Sequence, residues 1–284
     1  MILVVGANGF LGQRVGHALL ASGYSCLKAS HQEKTELHID LRLPMNLPDL
    51  PDGITHAVIL SSVTSFDECF QNPEQTSAFN VTHTIQLIDQ LVGQGITPVF
   101  ISTDAVFDGA KGNYSETDVA EPETIYGKQK RAVEKHLEDN VPERLIIRFG
   151  KLYSLAEDDA SPVRSLVEKL TTGDPVLAAT DQFLAPTLAE EAAAGIVELI
   201  HREAVGTFHI SPPADGIFSR YAMACEIASV TGANSALISP CSIADFDFHE
   251  PRPSDCTLNG SKFERLFGIQ LTPFSQVAPG LAGP

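Results

Sequence analysis

Cysteine is scarce in this chain and is not arranged in pairs. The five cysteines are odd in number and widely spaced without a CxxC pair, and the nine histidines include no HExxH pair. Disulfide frameworks and zinc sites require regular spacings of these residues. We therefore expect no disulfide framework and no metal site. The cysteines are Cys26, Cys69, Cys225, Cys241 and Cys256.

Basic residues are also few. Nineteen lysines and arginines stand against 36 aspartates and glutamates, a net charge of -17. Phosphodiester backbones and anionic lipid repel such a chain, so we expect neither nucleic acid nor membrane as a partner. No run reaches the roughly 18 to 20 apolar residues of a membrane span, and no basic segment precedes the first apolar run. These absences predict a cytoplasmic protein. Because the chain is acidic, any phosphate that it binds should be held by local backbone N–H groups and a few cations.

The first half of the chain alternates short apolar runs with amphipathic segments. Runs that are apolar on both faces and separated by helices are typical of a parallel sheet covered on both sides. The length of 284 residues and the hydrophobic fraction of 43% fit one large α/β domain or a domain with a smaller companion. The predicted strands are Ile2–Val5, Tyr24–Ala29, Ala57–Leu60, Pro98–Ile101 and Arg144–Arg148, and the predicted helices are Leu11–Ala21, about Glu74–Val92, and Tyr126–Asp139.

A glycine-rich turn follows the first predicted strand and precedes the first predicted helix. The first glycine allows the tight turn, the second lets the backbone approach a pyrophosphate, and the third lets helix and strand pack closely. Unpaired N–H groups at the helix N-terminus then face the phosphates. This context predicts a Rossmann-type, doubly wound parallel sheet that binds a dinucleotide. The predicted contact residues are Gly6, Asn8, Gly9, Phe10, Leu11 and Gly12.

After about residue 150 the alternation becomes less regular. Helical patterns cover Pro162–Thr171, Leu188–His201 and Ser219–Val230, the last with Ser219 as its N-cap, and Gly206–Ile210 is typical of a strand. A final short helix is predicted at Ser261–Phe267. We predict a dinucleotide-binding domain over residues 1–150, extended by the helix at about 188–201, and a smaller C-terminal substrate-binding region over residues 151–284.

The end of the second strand bears on the choice of cofactor. An NAD-preferring site usually has an acid there to hold the ribose 2′-hydroxyl, whereas this chain has Ser30 and His31. A small hydroxyl near Lys28, His31 or Lys34 suits a 2′-phosphate better. The sequence therefore favours NADP(H), and NAD(H) stays open because Glu33 is close by.

A tyrosine and a lysine four residues apart open the predicted helix at 126. Residues with this spacing share a helix face, so Tyr126 and Lys130 can point into one site. A nearby ammonium favours the phenolate, and we expect Lys130 to lower the pKa of Tyr126. Thr103 ends the preceding strand and can hold a substrate carbonyl while Tyr126 supplies its proton. Glu134 and His136, farther along the helix, are expected on its solvated face.

These motifs together resemble the extended short-chain dehydrogenase/reductases, and among them the dTDP-4-dehydrorhamnose reductases. The resemblance implies reduction of a keto group on a nucleotide-linked sugar with NADPH. It spans nearly the whole chain in the family's order. The matching stretches are Gly6–Gly12, Ser102–Gly109, Tyr126–Lys130, Asp181–Thr187, Gly206–Ile210 and Arg252–Asn259.

The resemblance also implies roles for individual residues. Thr103, Tyr126 and Lys130 match the catalytic triad, and Asn80 matches the residue that supports the triad lysine. Tyr126 and Lys130 would contact the cofactor as well. Further cofactor contacts are implied beside the adenine and along the ribose: Asp40, Leu41, Ser61, Ser62 and Val63.

The departures from the family pattern lie mostly on the substrate side. Ala105 stands where these reductases usually carry tyrosine, Gly150-Lys151 replaces Ser-Trp, Cys256 replaces a serine, and Ser61-Ser62 replaces Ala-Ala. Loss of the rings at 105 and 151 is expected to open space and add one cation. The predicted substrate contacts are Asp104, Lys151, Gln182 and Arg252.

Three alternatives to a reductase follow from the same fold. A 4,6-dehydratase is disfavoured because Asp104 is followed by Ala105 rather than by a second acid. A sugar-nucleotide epimerase with tightly held NAD stays open. So does a non-catalytic NADP-binding regulatory subunit, a role that some relatives of these reductases have. The residues leave a homodimer open as well.

Overall fold

The structure, a computed structural model, describes residues 1–32, 35–156 and 161–282. Its strands are β1 (Ile2–Val5), β2 (Cys26–Ser30), β3 (Leu37–His38), β4 (His56–Ile59), β5 (Thr97–Thr103), β6 (Leu145–Phe149), β7 (Leu152–Tyr153), β8 (Val176–Ala179), β9 (Phe183–Leu184), β10 (Thr187–Leu188), β11 (Gly206–His209), β12 (Phe218–Ser219) and β13 (Ile238–Cys241). Its α-helices are α1 (Phe10–Ala21), α2 (Phe66–Gln71), α3 (Pro73–Ser77), α4 (Thr84–Gly93), α5 (Ile125–Asn140), α6 (Pro162–Thr172), α7 (Ala189–His201), α8 (Arg220–Thr231), α9 (Ser261–Phe267) and α10 (Phe274–Val277).

Seven parallel strands form the central sheet in the order β11-β6-β5-β4-β1-β2-β3. The strand order reverses at β1, where Val5 pairs with Ala29 of β2 on one side and Ile59 of β4 on the other. Loops that leave the two sides of such a reversal open a crevice at the carboxyl ends of the strands. This arrangement confirms the predicted doubly wound, Rossmann-type fold, and it places the turn after β1 at the crevice.

The sheet is buried on both faces, which explains why its strands are apolar at every position. Ile2 and Val4 of β1 belong to the core that includes α1, α7 and α9, whereas Leu3 and Val5 belong to the core that includes α4 and α5. All four side chains are fully buried. A strand with no solvated face has no polar alternation, as the sequence shows.

The chain returns to the central sheet after residue 150. Strand β11 pairs with β6, and α7 and α9 pack in the same core as α1. The remaining segments build a separate core around α6, β8, α8, β13 and α10, with Tyr153 and Phe274 buried at its centre. The division at residue 150 stays a prediction; the structure shows that β11 as well as the helix near 188–201 packs with the sheet.

The helix predicted over about Glu74–Val92 is interrupted. Helix α3 ends at Ser77, a π-helical turn covers Ala78–His83, and α4 begins at Thr84. One widened turn barely alters the hydrophobic periodicity, so the sequence pattern did not reveal it. The turn places Asn80 inside the protein, 2% exposed.

The N-cap of α8 and the absence of a membrane-spanning segment were both expected from the sequence. Ser219 caps α8 by accepting a hydrogen bond from the Ala222 N–H, as predicted. Among the described residues, none of the helices is both long and apolar enough to cross a membrane. The cytoplasmic location stays a prediction.

Candidate active site

The turn after β1 is built for close approach of backbone groups. Gly6 has φ +90°, and a Cβ there would lie 2.8 Å from Ser61 Oγ. A Cβ on Gly12 would overlap the Gly6 carbonyl oxygen. Gly9 is the N-cap of α1, and no side chain caps the N–H groups of that helix end. The turn therefore brings free N–H groups of α1 to the crevice.

The predicted ribose contacts at the end of β2 are linked to this turn. Asn8 Nδ2 donates to Ser30 Oγ (3.2 Å) and to Gln32 Oε1 (2.9 Å). His31 follows Ser30 and is exposed, with no acid in β2 or directly after it. Lys34 and Glu33, which the sequence placed near this position, lie outside the described residues.

The predicted adenine side forms a second polar edge. Arg42 donates to both oxygens of Asp40, Nε to Oδ1 at 2.8 Å and Nη2 to Oδ2 at 2.7 Å. Chiefly through these bonds, the guanidinium lowers the pKa of Asp40 to about 2. The carbonyl of Leu41 lies 2.8 Å from Nδ1 of His83 in the π-helical turn. Asp40 and Leu41 are thus fixed beside the crevice.

Asn80 holds the loop after β4 rather than the triad lysine. Its Oδ1 accepts from Val63 N (2.8 Å) and Ser62 Oγ (3.0 Å), and its Nδ2 donates to the Val63 carbonyl (2.9 Å). Nδ2 also donates to Gln129 Oε1 at 2.7 Å. The described side-chain bonds of Asn80 run to residues other than Lys130. The support of Lys130 that the resemblance implies for Asn80 stays a prediction.

The three predicted triad residues come together between β5 and α5. Thr103 ends β5, Tyr126 and Lys130 lie in the first turns of α5, and all three are at most 9% exposed. The Thr103 hydroxyl acts on the pKa of Tyr126 and accepts a hydrogen bond from the Ala105 N–H at 3.2 Å. Lys130 Nζ donates to the Ile101 carbonyl at 2.9 Å. A Cβ on Gly127 would overlap the Ala105 carbonyl, so this glycine lets α5 lie directly on the turn after β5.

The expected lowering of the Tyr126 pKa is wrong for this structure. Burial raises the pKa of Tyr126 above its ordinary 10, nearby Asp104 and Cys69 raise it further, and the Thr103 hydroxyl only partly opposes them. Burial lowers the pKa of Lys130 to about 8, against the opposing effect of Glu134. Lys130 is held at the Ile101 carbonyl, and the loss of hydration of the buried phenol determines the direction of the Tyr126 pKa shift. Tyr126 is therefore fully protonated near neutral pH, the form required of a proton donor.

A carboxylate and three cations surround the substrate end of the triad. Thr103 Oγ1 donates to Asp104 Oδ1 at 3.0 Å. Burial raises the pKa of Asp104 to about 6, with Lys151 opposing the shift. Burial also lowers the pKa of Lys151; Asp104 opposes that shift, and the positive charges of Arg220 and Arg252 add to it. Asp67 and Glu250 pair with Arg252, so the three cations face three carboxylates in this region.

Arg252 is locked between aromatic rings at the rim of this site. Its guanidinium lies 4.4 Å from the Phe66 ring centroid and 5.1 Å from that of Phe248. Nη2 donates to Asp67 Oδ1 at 2.5 Å. The Phe66 ring meets Tyr126 edge-on at 5.3 Å, which connects the rim to the triad.

Gln182, the fourth predicted substrate contact, faces Arg220. Its Oε1 accepts from Arg220 Nη1 at 3.2 Å, and its carbonyl accepts from Arg220 N at 2.9 Å. Asp104, Lys151 and Arg252 thus lie in one charged region, and Gln182 is hydrogen-bonded to Arg220, which belongs to it. Their contact with a substrate stays a prediction.

Two expectations about side-chain surroundings are wrong. Ala105 does not border open space: it is 3% exposed and packs in a cluster with Cys69 and Tyr126. Glu134 is not on a solvated face but fully buried, where it accepts two bonds from Arg148 of β6 at 2.7 and 2.8 Å. The spacing of Tyr126 and Lys130 gave their common face correctly, but the expected face of Glu134 was wrong, because no local pattern shows that β6 carries an arginine against it.

Several residues of the site were not recognised in the sequence. Arg220 directly follows Ser219, whose helix-capping pattern was the only signal at this point of the sequence, and no pattern marked Asp67. The carboxylate of Glu250 accepts from the N–H of Ile125, the first residue of α5, at 3.0 Å. Gln129 lies inside the YxxxK motif itself, whose fixed positions drew attention away from it. Long-range partners of this kind leave no local pattern.

With this geometry described, the chain can be compared with known proteins. A family model described as the RmlD substrate-binding domain matches residues 1–281. The chain belongs to this family. It is 30% identical over 276 residues to a probable low-salt glycan biosynthesis reductase of Haloferax volcanii, covering 93% of this chain and 91% of that protein. It is 28% identical to the dTDP-4-dehydrorhamnose reductase of Salmonella typhimurium, covering 95% and 93%. The predicted family resemblance is confirmed.

Three further proteins bear on function and fold. The beta subunit of methionine adenosyltransferase 2 from Rattus norvegicus is 26% identical over 96% of this chain and 84% of its own length. The solved dTDP-4-dehydrorhamnose reductase of Clostridium acetobutylicum superposes with a TM-score of 0.83 at 25% identity, covering 99% of this chain and 96% of the other. The reductase of Bacillus anthracis, solved in complex with NADP, gives 0.83 at 21% identity and the same coverage. The whole chain thus has the fold of these reductases.

Proposed function

We propose that this chain is an NADPH-dependent reductase of a keto group on a nucleotide-linked sugar. The observation that carries the proposal is the burial of Thr103, Tyr126 and Lys130 together at the carboxyl edge of the sheet, the same edge from which the turn Gly6–Gly12 leaves β1. Relatives named as dTDP-4-dehydrorhamnose reductases support the substrate class. A proton donor beside a dinucleotide turn is the minimum that carbonyl reduction needs.

The residues around the turn fit a dinucleotide. Positions 6 and 12 leave no room for a Cβ, and the uncapped N–H groups of α1 stabilise the negative charge of a pyrophosphate. Ser30 and His31 offer a hydroxyl and an imidazole to a 2′-phosphate where an acid would repel it. When bound, the cofactor supplies a hydride to the carbonyl carbon.

The side chains divide the remaining chemistry among them. When substrate binds, the Thr103 hydroxyl turns from Asp104 Oδ1 to the substrate carbonyl and orients it. Tyr126, kept protonated by its buried surroundings, donates a proton to the carbonyl oxygen. Lys130 holds the ribose hydroxyls and stabilises the phenolate that remains on Tyr126. The enclosure of all three groups keeps water from competing for the proton.

The cations beside Asp104 supply the substrate side of the proposal. Lys151 and Arg252 lie near Arg220, and together they offset the negative charge of a sugar-linked diphosphate. The aromatic rings on either side of Arg252 keep its guanidinium in a fixed plane.

Two measurements test the proposal. The first is NADPH oxidation with a panel of keto-sugar nucleotides, where turnover of at least one member is expected. The second is calorimetric titration with NADP(H) and NAD(H), where NADP(H) is expected to bind more tightly. At least tenfold tighter binding of NAD(H) would contradict the cofactor assignment.

A non-catalytic regulatory subunit is the second candidate, favoured by the identity to the methionine adenosyltransferase beta subunit. It predicts tight NADP(H) binding with no turnover on any member of the panel. An epimerase predicts instead that NAD stays bound through purification and that substrate is interconverted without net NADPH oxidation. The two measurements, with analysis of the purified protein for bound NAD and of the panel for interconverted sugars, therefore separate all three.

A further inference from the structure

A buried glutamine lies between the two catalytic residues of α5. Gln129 follows Tyr126 by three residues, precedes Lys130 by one, and is 5% exposed. The proposed chemistry gives it no part. Burying an amide costs free energy unless both its ends are hydrogen-bonded, so its bonds indicate what it holds.

Both ends of the Gln129 amide are bonded to buried partners. Nε2 donates to Thr76 Oγ1 of α3 at 2.9 Å, and Oε1 accepts from Asn80 Nδ2 of the π-helical turn at 2.7 Å. Thr76 and Asn80 are each 2% exposed. Gln129 thus joins the catalytic helix to α3 and to the π-helical turn that follows it.

Asn80 carries this connection on to the loop after β4. Its amide makes two bonds to the Val63 backbone and accepts one from Ser62. Together with the bond to Gln129, they occupy both donor and both acceptor positions of the Asn80 amide. The orientation of the amide is therefore fixed by Gln129 on one side and by Val63 on the other. A shift of α5 along its axis would therefore move Ser62 and Val63 with it.

We propose that Gln129 is a positioning residue that sets the register between the catalytic helix and the loop Ser61–Val63. This rests on the proposed function, in which that loop lines the cofactor ribose while Tyr126 and Lys130 act on the other side. Lys130 donates its own bond to the Ile101 carbonyl. The link from Lys130 to the loop is made through the helix backbone and the Gln129 side chain.

The test compares two glutamine-to-methionine variants. Gln129→Met keeps the length of the side chain and removes both bonds. Gln90→Met is the matched control: Gln90 of α4 accepts from Leu47 N (2.7 Å) and donates to the Met45 carbonyl (3.1 Å). Each variant loses one donated and one accepted bond, to side chains for Gln129 and to backbone groups for Gln90, but only Gln129 lies on the path to Val63.

Two readouts separate positioning from simple stabilisation. In the cofactor-free protein, Gln129→Met is expected to speed hydrogen exchange of the Val63 amide about tenfold, and titration is expected to show about tenfold weaker NADPH binding. Gln90→Met should lower the melting temperature without either effect. If both variants lower the melting temperature and neither changes exchange at Val63 or NADPH affinity, Gln129 is only a packing residue and the proposal is wrong.

A second pair of variants tests the same proposal if Gln129→Met does not fold. Thr76→Val removes the acceptor of Gln129 Nε2, whereas Thr76→Ser retains a hydroxyl. The valine variant is expected to weaken NADPH binding several-fold and the serine variant to restore it; equal affinities would overturn the proposal. If the wild type binds neither NADPH nor NADP, the proposed function fails, and exchange at Val63 still decides the role of Gln129.

Discussion

At the residue scale, surroundings decide what Tyr126 can do. A tyrosine in water is protonated near neutral pH, and here burial and the nearby Asp104 make the charged form still less favourable. The Phe66 ring meets the Tyr126 ring edge-on, which limits the positions that the phenol can take. The environment therefore keeps Tyr126 in the protonated form that the proposed function requires.

Replacing Tyr126 with phenylalanine tests this role directly. Tyr126→Phe keeps the ring and its contact with Phe66 but removes the proton, so kcat is expected to fall by about 10²-fold or more. Melting temperature and NADPH affinity should change little. Near-wild-type turnover on a substrate found in the panel would show that another group is the acid.

The lowered pKa of Lys130 predicts a pH dependence. Burial brings this pKa to about 8, so above that pH the ammonium is progressively lost. The phenolate left on Tyr126 after proton transfer then has no compensating charge, and kcat is expected to decline from about pH 8 upwards rather than near the ordinary lysine value of 10.5. A kcat–pH profile with a saturating substrate measures this. A flat profile up to pH 10 would contradict it.

At the element scale, α5 is the helix on which the site depends, and three contacts hold it in place. Thr124 caps it by accepting from Gly127 N, Gly127 allows it to lie on the turn after β5, and Glu134 pairs with Arg148 of β6. The side chains of Glu134 and Arg148 are 0% and 3% exposed. A buried charge pair of this kind fixes the helix relative to the sheet, because either charge alone would be costly.

Breaking the pair from one side is expected to be severe. Arg148→Met leaves Glu134 buried with only Arg131 at 3.3 Å, and the free energy of unfolding should fall by about 3–5 kcal/mol. The double variant Arg148→Met/Glu134→Leu should recover most of that loss. Lys135→Met, which removes an exposed pair with Asp139 on the same helix, should cost less than about 1 kcal/mol. Urea unfolding measures all three, and equal losses in the single and double variants would refute the argument.

At the scale of the whole molecule, one histidine couples folding to pH. His209 ends β11 and is fully buried. Arg148 Nη1 donates to its Nε2 at 3.3 Å, and its Nδ1 lies 3.0 Å from the Tyr114 carbonyl. Because an arginine can only donate and a carbonyl can only accept, the ring is neutral with its hydrogen on Nδ1. Burial, then the charge of Arg148, lowers the pKa of His209 from 6.5 to about 3.

This shift predicts a loss of stability in acid. Below pH 6.5 the unfolded chain binds a proton that the native protein does not bind until about pH 3, so the free energy of unfolding falls as pH decreases through that window. Between pH 7 and pH 5 the contribution of His209 is about 2 kcal/mol. His209→Gln supplies one donor and one acceptor without titrating. Urea unfolding at both pH values should show a correspondingly smaller loss in the variant; an equal loss would assign the effect to other groups.

The sequence by itself determined the features that depend on local pattern. Strand β1 is readable because a strand buried on both faces is apolar throughout, and the turn Gly6–Gly12 is readable because only glycine fits its backbone. The spacing of Tyr126 and Lys130 gave their common helix face. These signals were enough for the fold class and for the positions of the triad.

The surroundings of the glycine turn and of the predicted triad depend on how the whole chain folds. Arg148 reaches Glu134 from a neighbouring strand, Asn80 lies in a π-helical turn, and Gln129 joins elements some fifty residues apart in sequence. The direction of the Tyr126 pKa also came from the fold, because desolvation depends on every segment that packs around the phenol. Burial and long-range pairing are properties of the assembled chain, and no window of sequence contains them.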